Sequence, residues 1–179
     1  MFHDVPLRYT ARVNQELEKF YELVEDIEVA MMVTRRPDGH LESRAMATQK
    51  RSDGADLWFV TAKDTAKVRN LEADEHINLS YYDNGSREWV SVSGTARLVG
   101  DRDKIRELYA EDWKIWFHDE GDPRHGTAED PRLLLIGVDI ESAVYLEVDK
   151  PKPVVLYEVA KGFVTGDTPE LGETHRVTP

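Results

Sequence analysis

The spacing of apolar and polar residues predicts an amphipathic helix followed by a series of short strands. Apolar residues recur at helical spacing over residues 14–27, with Asn14 as a candidate N-cap. Beyond residue 28, apolar runs alternate with turn signals, of which Asn84-Gly85 is the strongest for a hairpin. Further helices are predicted at residues 64–73 and 101–117. The predicted strands cover residues 29–35, 41–50, 57–61, 76–82, 88–99 and 133–148, with an edge strand at 154–159.

The order of these elements indicates a mainly β fold with helices outside the sheet. Strands follow one another through hairpins without a βαβ alternation, which favours an antiparallel sheet. Six such strands tend to close into a barrel, because closure removes exposed edges. With 179 residues, the chain has the length of one domain. We assign residues 1–160 to this domain and residues 161–179, with three Gly and two Pro, to a loose C-terminal tail.

Composition narrows the classes of function. The chain has no cysteine, which excludes a disulfide scaffold, a thiolate metal site and a cysteine nucleophile. Its net charge of −12 argues against nucleic acid and anionic membrane surfaces as partners, since both reward positive charge. The sequence contains no apolar run of the roughly 20 residues that a membrane span needs. Without a recognisable signal peptide, a cytoplasmic location is expected.

One segment reverses the overall acidic balance. Residues 35–69 carry eight basic and five acidic side chains, although the chain as a whole is strongly acidic. Within this segment, residues 61–67 run from a strand end into a helix start, where free backbone N–H groups favour a phosphate. Thr61 and Thr65 would add hydroxyl donors, and Lys67 a full charge. The alternative is an ordinary capped helix with surface lysines.

Other candidate residues are weaker. Trp113 and Trp116 stand three apart near a predicted helix end, where an aromatic pair would suit a planar heterocycle, although most buried tryptophans belong to the core. His118 and His125 lie in an acidic loop without the spacing of a ligand pair, so no metal site is predicted. No standard nucleotide-binding, nucleophile or zinc motif is present.

Three groups of residues resemble a known family. Ser43-Arg44-Ala45-Met46 resembles the "SRPM" signature of the pyridoxamine 5'-phosphate oxidase-like FMN-binding split barrels. The segment 58–68 resembles their phosphate-binding segment. Within this superfamily, segments 114–117, 130–133 and 164–169 are most similar to the general stress protein 26 family. The resemblance covers residues from about 13 to 175.

The resemblance implies a six-stranded antiparallel split β-barrel that forms a homodimer with two FMN sites at its interface. The residues that it assigns to the cofactor are Arg44, Ala45, Met46, Thr61, Ala62, Lys63, Lys67, Trp89 and Trp116. The first three would line the flavin ring, and the next four would hold the phosphate and ribityl chain. Trp89 would lie near the ring, and Trp116 would approach from the second subunit. FAD or a deazaflavin remains an alternative to FMN.

The sequence departs from the family pattern at three places. Ala45 stands where the family usually has proline, and Gln49 stands roughly where the oxidases use a lysine on the phosphate. A longer acidic loop, residues 118–129, separates the Trp-Phe pair at 116–117 from the Asp-Pro pair at 130–131 and could cap the cofactor pocket. Equivalents of the Arg and His residues with which true oxidases grip the vitamin phosphate are not evident, so pyridoxamine phosphate oxidation is not expected.

Three functions follow from this resemblance. The first is an FMN-dependent oxidoreductase that uses a small-molecule electron donor, with the chemistry carried by the cofactor and no residue assigned as catalytic. The second is a flavin store or sensor without turnover, linked to stress. The third is a dimeric scaffold that has lost its cofactor.

Overall fold

The computed structural model describes residues 7–117, 121–148, 153–155, 157–158, 161 and 172–178, and its main feature is one antiparallel sheet. The strands are β1 (Val29–Arg35), β2 (Leu41–Ala47), β3 (Leu57–Ala62), β4 (His76–Tyr82), β5 (Trp89–Val99), β6 (Leu133–Glu147) and β7 (Glu173–Val177). The helices that flank it are α1 (Leu7–Ile27), α2 (Ala66–Ala73), α3 (Arg102–Leu108) and a 3₁₀ turn, Glu111–Ile115.

The sheet confirms the predicted split barrel. Its strands run in the order β2-β1-β4-β5-β6-β3, with β7 added alongside β6, and all neighbours are antiparallel. The two end strands, β2 and β3, share no ladder, so the sheet curls without closing. A backbone hydrogen bond from Gln49 N to Trp58 O, 2.8 Å, joins the ends at one point. The register between β5 and β6 shifts at Ser93/Gly94, where Glu141 is an extra residue in β6, and a Cβ at Gly94 would lie 2.2 Å from the Asp139 carbonyl oxygen.

Two hydrophobic cores lie on opposite faces of the β3–β6 pair. The first fills the inside of the curled sheet, and α1 covers it with Phe20, Leu23 and Val24. The second lies outside, where α3 and the 3₁₀ turn pack Ile105, Leu108 and Trp113 against the sheet. Because Phe59 belongs to the first core and Trp58 to the second, β3 is buried on both faces.

Most predicted strands match the structure, and the differences occur at element ends. The first helix starts at Leu7 instead of residue 14, since residues 7–13 contain no helix breaker. The second strand ends at Ala47, because the Gln49 amide turns away to β3. The predicted helix 101–117 divides after Leu108, where non-helical backbone at Tyr109 and extended backbone at Ala110 redirect the chain so that Trp113 enters the second core.

The C-terminal predictions were less accurate. The edge strand expected at 154–159 is wrong, because residues 153–155 and 157–158 are helical; a short apolar run does not by itself distinguish helix from strand. The segment 161–179 was expected to be a loose tail, but Glu173–Val177 forms β7 and buries Val177 in the first core. Residues 162–171 lie outside the described residues. None of the described helices is long and apolar enough to cross a membrane.

Candidate functional site

A cleft of about 310 Å³ lies where the split between β2 and β3 meets the start of α2 and the 3₁₀ turn. Six of the nine residues that the sequence assigns to a cofactor line it: Ala45, Met46, Thr61, Ala62, Lys67 and Trp116. The lining is completed by Ala47, Gln49, Val60, Thr65, Asp112, Trp113 and Phe117. Its volume is in the range of small-molecule sites in proteins.

One end of the cleft is cationic and rich in hydroxyl groups. Lys67 Nζ donates to Thr61 Oγ1 at 3.0 Å, and the Thr61 and Thr65 hydroxyl oxygens are 3.3 Å apart. Thr65 is the N-cap of α2, but its side chain does not cap the helix and instead donates to the Ala62 carbonyl. This arrangement places a lysine and two hydroxyls beside the first turn of a helix, which is the chemistry that binds phosphate.

Lys67 is a half-buried cation without a carboxylate partner in the described part of the chain. Its side chain donates a hydrogen bond to the neutral Thr61 hydroxyl. Burial lowers the pKa of the Lys67 ammonium group, and the nearby Arg44 charge lowers it further. Because an anion at this end would relieve both effects, the site is electrostatically suited to a negatively charged group.

Much of the remaining lining is apolar. It includes the small side chains of Ala45 and Ala47 on β2 and the aromatic side chains of Trp113 and Trp116. Trp113 is buried and donates its Nε1–H to Gln49 Oε1 at 2.8 Å, whereas Trp116 is 78% exposed. The resemblance implies that Trp116 comes from a second subunit, but here the chain's own Trp116 lies at its cleft. A planar ring would find an exposed aromatic face here.

Arg44 lies behind the cleft instead of in its lining. Arg44 Nη1 donates to Thr34 Oγ1 at 2.7 Å and to the Met32 carbonyl at 3.1 Å, and Nη2 is 3.4 Å from Glu42 Oε2. Asn70 of α2 donates to the same Thr34 and Glu42 oxygens, at 3.0 and 2.9 Å. Arg44 therefore belongs to a polar network between β1, β2 and α2.

Two other predicted residues also lie outside this cleft. Lys63 is exposed, and its backbone amide donates to the Arg132 carbonyl. Trp89 begins β5 and pairs with Tyr82 and Leu146, three strands away from β2. Its place in the alternation of β5 puts it on the outer face of the sheet. Trp89 is not among the described residues that line the cleft.

The lining also contains residues that sequence reasoning left unassigned. Trp113 was noticed for its spacing, but only its hydrogen bond to Gln49 shows that it forms a wall. Asp112 carried no signal in the sequence, because one carboxylate among the chain's 35 is not distinctive. Val60 gave no signal beyond that of a strand residue.

The described part of the acidic loop is fixed close to the cleft. Asp130 is fully buried and accepts from the amides of Gly126 and Arg132 and from the Arg132 guanidinium, at 2.7–3.0 Å. Arg132 in turn lies 5.8 Å from the ring of Phe117, a residue of the lining. His118 lies outside the described residues. Within those residues, no three His, Asp or Glu side chains are grouped as a metal would require.

The lining as a whole suits a ligand that carries both a phosphate and a planar ring. Lys67 and the hydroxyls suit the phosphate, and the alanines with Trp116 suit the ring.

The comparisons agree on one family. The sequence profile described as "Pyridoxamine 5'-phosphate oxidase like" matches residues 15–170. The chain is 36% identical over 169 residues to protein bli-3 of Neurospora crassa, an alignment that covers 93% of this chain and 81% of the fungal protein. Among solved structures, a putative general stress protein 26 from Jannaschia sp. CCS1 superposes with a TM-score of 0.70 at 24% identity, covering 93% of this chain and 99% of the other.

A further solved structure, the general stress FMN/FAD binding protein of Xanthomonas citri, superposes with a TM-score of 0.60 at 25% identity. The match covers 74% of this chain and 88% of the other protein. The profile match spans most of the sequence, and the alignment with the fungal relative covers 81% of that protein. The chain therefore belongs to the pyridoxamine 5'-phosphate oxidase-like family.

Proposed function

We propose that this protein binds FMN in the cleft between β2 and β3 and acts as a flavin-dependent oxidoreductase. The observation that carries the proposal is that one cleft combines two hydroxyls and an apolar lining with a lysine that has no carboxylate partner among the described residues. The similarity to a general stress protein described as FMN/FAD binding supports it. FAD is the alternative flavin.

Each part of the lining has a distinct role in this proposal. Lys67, Thr61 and the first-turn amides of α2 would hold the phosphate, and Arg44 would contribute from behind them. The small side chains of Ala45 and Ala47 would let the ring approach β2, and Trp116 would cover it from the solvent side. A bound flavin would supply electron or hydride transfer, and the protein would orient it and exclude water.

The charged side chains of the lining are Lys67 and Asp112, so the protein offers few groups for proton transfer near the ring. This favours chemistry carried by the cofactor. It is equally the arrangement of a flavin store or sensor linked to stress, which is the second candidate function.

We further propose that two copies of the chain pair through the outer face of β2, β1, β4 and β5. That face exposes apolar side chains, among them Val29, Met31, Leu41 and Tyr82. Ala45 and Ala47 belong both to this face and to the cleft lining, so the cleft opens toward the surface that a second copy would cover.

The first test is whether the purified protein binds FMN. We expect flavin absorbance, or quenching of flavin fluorescence on titration, and we expect Lys67→Ala to weaken FMN binding at least about tenfold, or about 1.4 kcal/mol. Arg69→Ala is the matched control, because Arg69 lies on the same helix but is exposed and bonds the Asp64 carbonyl. A protein that neither contains nor takes up flavin would overturn the proposal.

A second measurement separates an enzyme from a store. The flavin-loaded protein is mixed anaerobically with NADH or NADPH, and the flavin absorbance is followed. Bleaching supports the oxidoreductase. Absorbance that persists with both donors supports the store, provided that a chemical reductant, the positive control, does bleach the flavin.

A further inference from the structure

A carboxylate lies behind the cationic end of the cleft. Glu42 is on β2, where it pairs in register with Thr34 of β1, and its Oε2 accepts from Asn70 Nδ2 at 2.9 Å and lies 3.4 Å from Arg44 Nη2. Its other oxygen is 3.8 Å from Arg36 Nη1. Glu42 thus places a carboxylate in the polar network of Arg44, Thr34 and Asn70.

The guanidinium of Arg44 is already engaged. Its Nη1 bonds Thr34 and the Met32 carbonyl, and its Nη2 faces Glu42. The Arg44 side chain is 20% exposed, the Glu42 side chain is 36% exposed and Thr34 is fully buried, so solvent screens this group only in part. Since Arg44 does not line the cleft, it would act on a bound phosphate through its charge, which Glu42 offsets.

Lys67 contrasts with Arg44, because it faces the cleft and has only a neutral partner. It lies on α2 three residues before Asn70, which puts both side chains on one side of the helix. Asn70 is 4% exposed and joins α2 directly to Glu42. Glu42 is therefore linked to both cations, to Arg44 by contact and to Lys67 through α2.

We propose that Glu42 limits the affinity of the cleft for a phosphate by neutralising Arg44. This inference rests on the proposed function, since it concerns the phosphate of the flavin. Two cations without a nearby carboxylate would hold a phosphate dianion tightly, whereas Glu42 reduces their combined charge by one and repels the incoming anion. Lys67 is then the main cation for the ligand, and Glu42 determines how readily the phosphate leaves.

The effect has a specific signature, because it acts on the phosphate and not on the ring. Removing the negative charge of Glu42 strengthens the binding of FMN. It leaves the binding of riboflavin, which has the same ring but no phosphate, unchanged. A merely structural role for Glu42 would weaken both ligands together.

The experiment measures dissociation constants for FMN and riboflavin by flavin fluorescence, in the wild type and in Glu42→Gln. Gln keeps an oxygen that can accept from Asn70, and thermal melting checks that the variant folds. We expect the Kd for FMN to fall about fivefold, with that for riboflavin changed by less than about twofold. Asp53→Asn is the matched control, since Asp53 is an exposed carboxylate in the turn before β3, and its loss should leave both constants unchanged. Glu42→Asp, which keeps the charge, should retain the wild-type preference.

An unchanged or weaker FMN affinity in folded Glu42→Gln overturns the inference. The proposed function still stands in that case if the wild type binds FMN more tightly than riboflavin. If the wild type binds neither flavin, both are overturned. If Glu42→Gln does not fold, the double variant Glu42→Gln/Arg44→Gln provides the decision: it removes both charges of the pair, so its FMN affinity should fall by clearly less than that of Lys67→Ala. An equal or larger loss contradicts the inference.

Discussion

At the scale of single residues, Asp130 makes the stability of the protein sensitive to acid. Burial alone raises the pKa of this carboxyl group, but hydrogen bonds from the Arg132 side chain and from the Arg132 and Gly126 amides outweigh it and lower the pKa to about 2. Since the pKa is below its unfolded value, the stabilisation is complete above about pH 4 and is lost as the pH falls toward 2.

We therefore expect Asp130→Asn to lower the free energy of unfolding at pH 7 by on the order of 2 kcal/mol. Its stability should also depend less on pH between 4 and 2 than that of the wild type. Urea denaturation at several pH values measures both effects, with the exposed turn carboxylate Asp53→Asn as control. Parallel pH profiles for wild type and Asp130→Asn would show that other groups cause the acid sensitivity.

The residue scale also shows which parts of the site can be predicted. Thr61 and Lys67 were identified because a strand end and a helix start are adjacent in sequence, so their proximity is local. Arg44 was assigned to the flavin ring, but its orientation depends on Thr34 and Asn70, which belong to other elements. No pattern within one segment records such contacts.

At the scale of elements, the junction between α1 and β1 contains a correctable strain. Glu28 follows the last residue of α1 with φ 65°, and its amide donates to the Val24 carbonyl at 2.9 Å. This is the position where helices commonly end in glycine, because other residues pay for the left-handed conformation. Glu28 nevertheless keeps its carbonyl bonded to the Thr48 amide.

We expect Glu28→Gly to raise the free energy of unfolding by about 0.5–1 kcal/mol, measured by chemical denaturation. The opposite sign is expected for Glu18→Gly, an exposed position inside the same helix, where glycine costs about 1 kcal/mol. Destabilisation by both variants would mean that the side chain of Glu28 contributes more than its backbone strain costs.

The accuracy of the element predictions follows from how strongly each segment alternates. β1 and β4 match their predicted bounds, because alternate residues face the core throughout. β7 was missed, since Val177 is its one buried residue and its position depends on pairing with the distant β6. The division of the helix after Leu108 likewise depends on Trp113 reaching Gln49, 64 residues away in sequence.

At the scale of the whole molecule, the proposed dimer makes a prediction about size in solution. Light scattering should give twice the mass of one chain, and Met31→Glu should shift the protein toward the monomer, because it puts a charge at the centre of the exposed apolar face. Tyr157→Glu changes an exposed aromatic residue outside that face and should have no effect. A monomeric wild type at micromolar concentration would contradict the dimer.

The gap between β2 and β3 also has a mechanical consequence. Seven register pairs join β1 to β2, whereas in the described residues one backbone hydrogen bond, from Gln49 to Trp58, spans the gap beside the cleft. A single such bond contributes only about 0.5–1.5 kcal/mol. β2 and β3 are thus joined far more weakly than β1 and β2, and the cleft lies beside that junction. We expect a thicker or thinner ligand to be accommodated by a change in the width of this gap, while the ladders on either side keep their register.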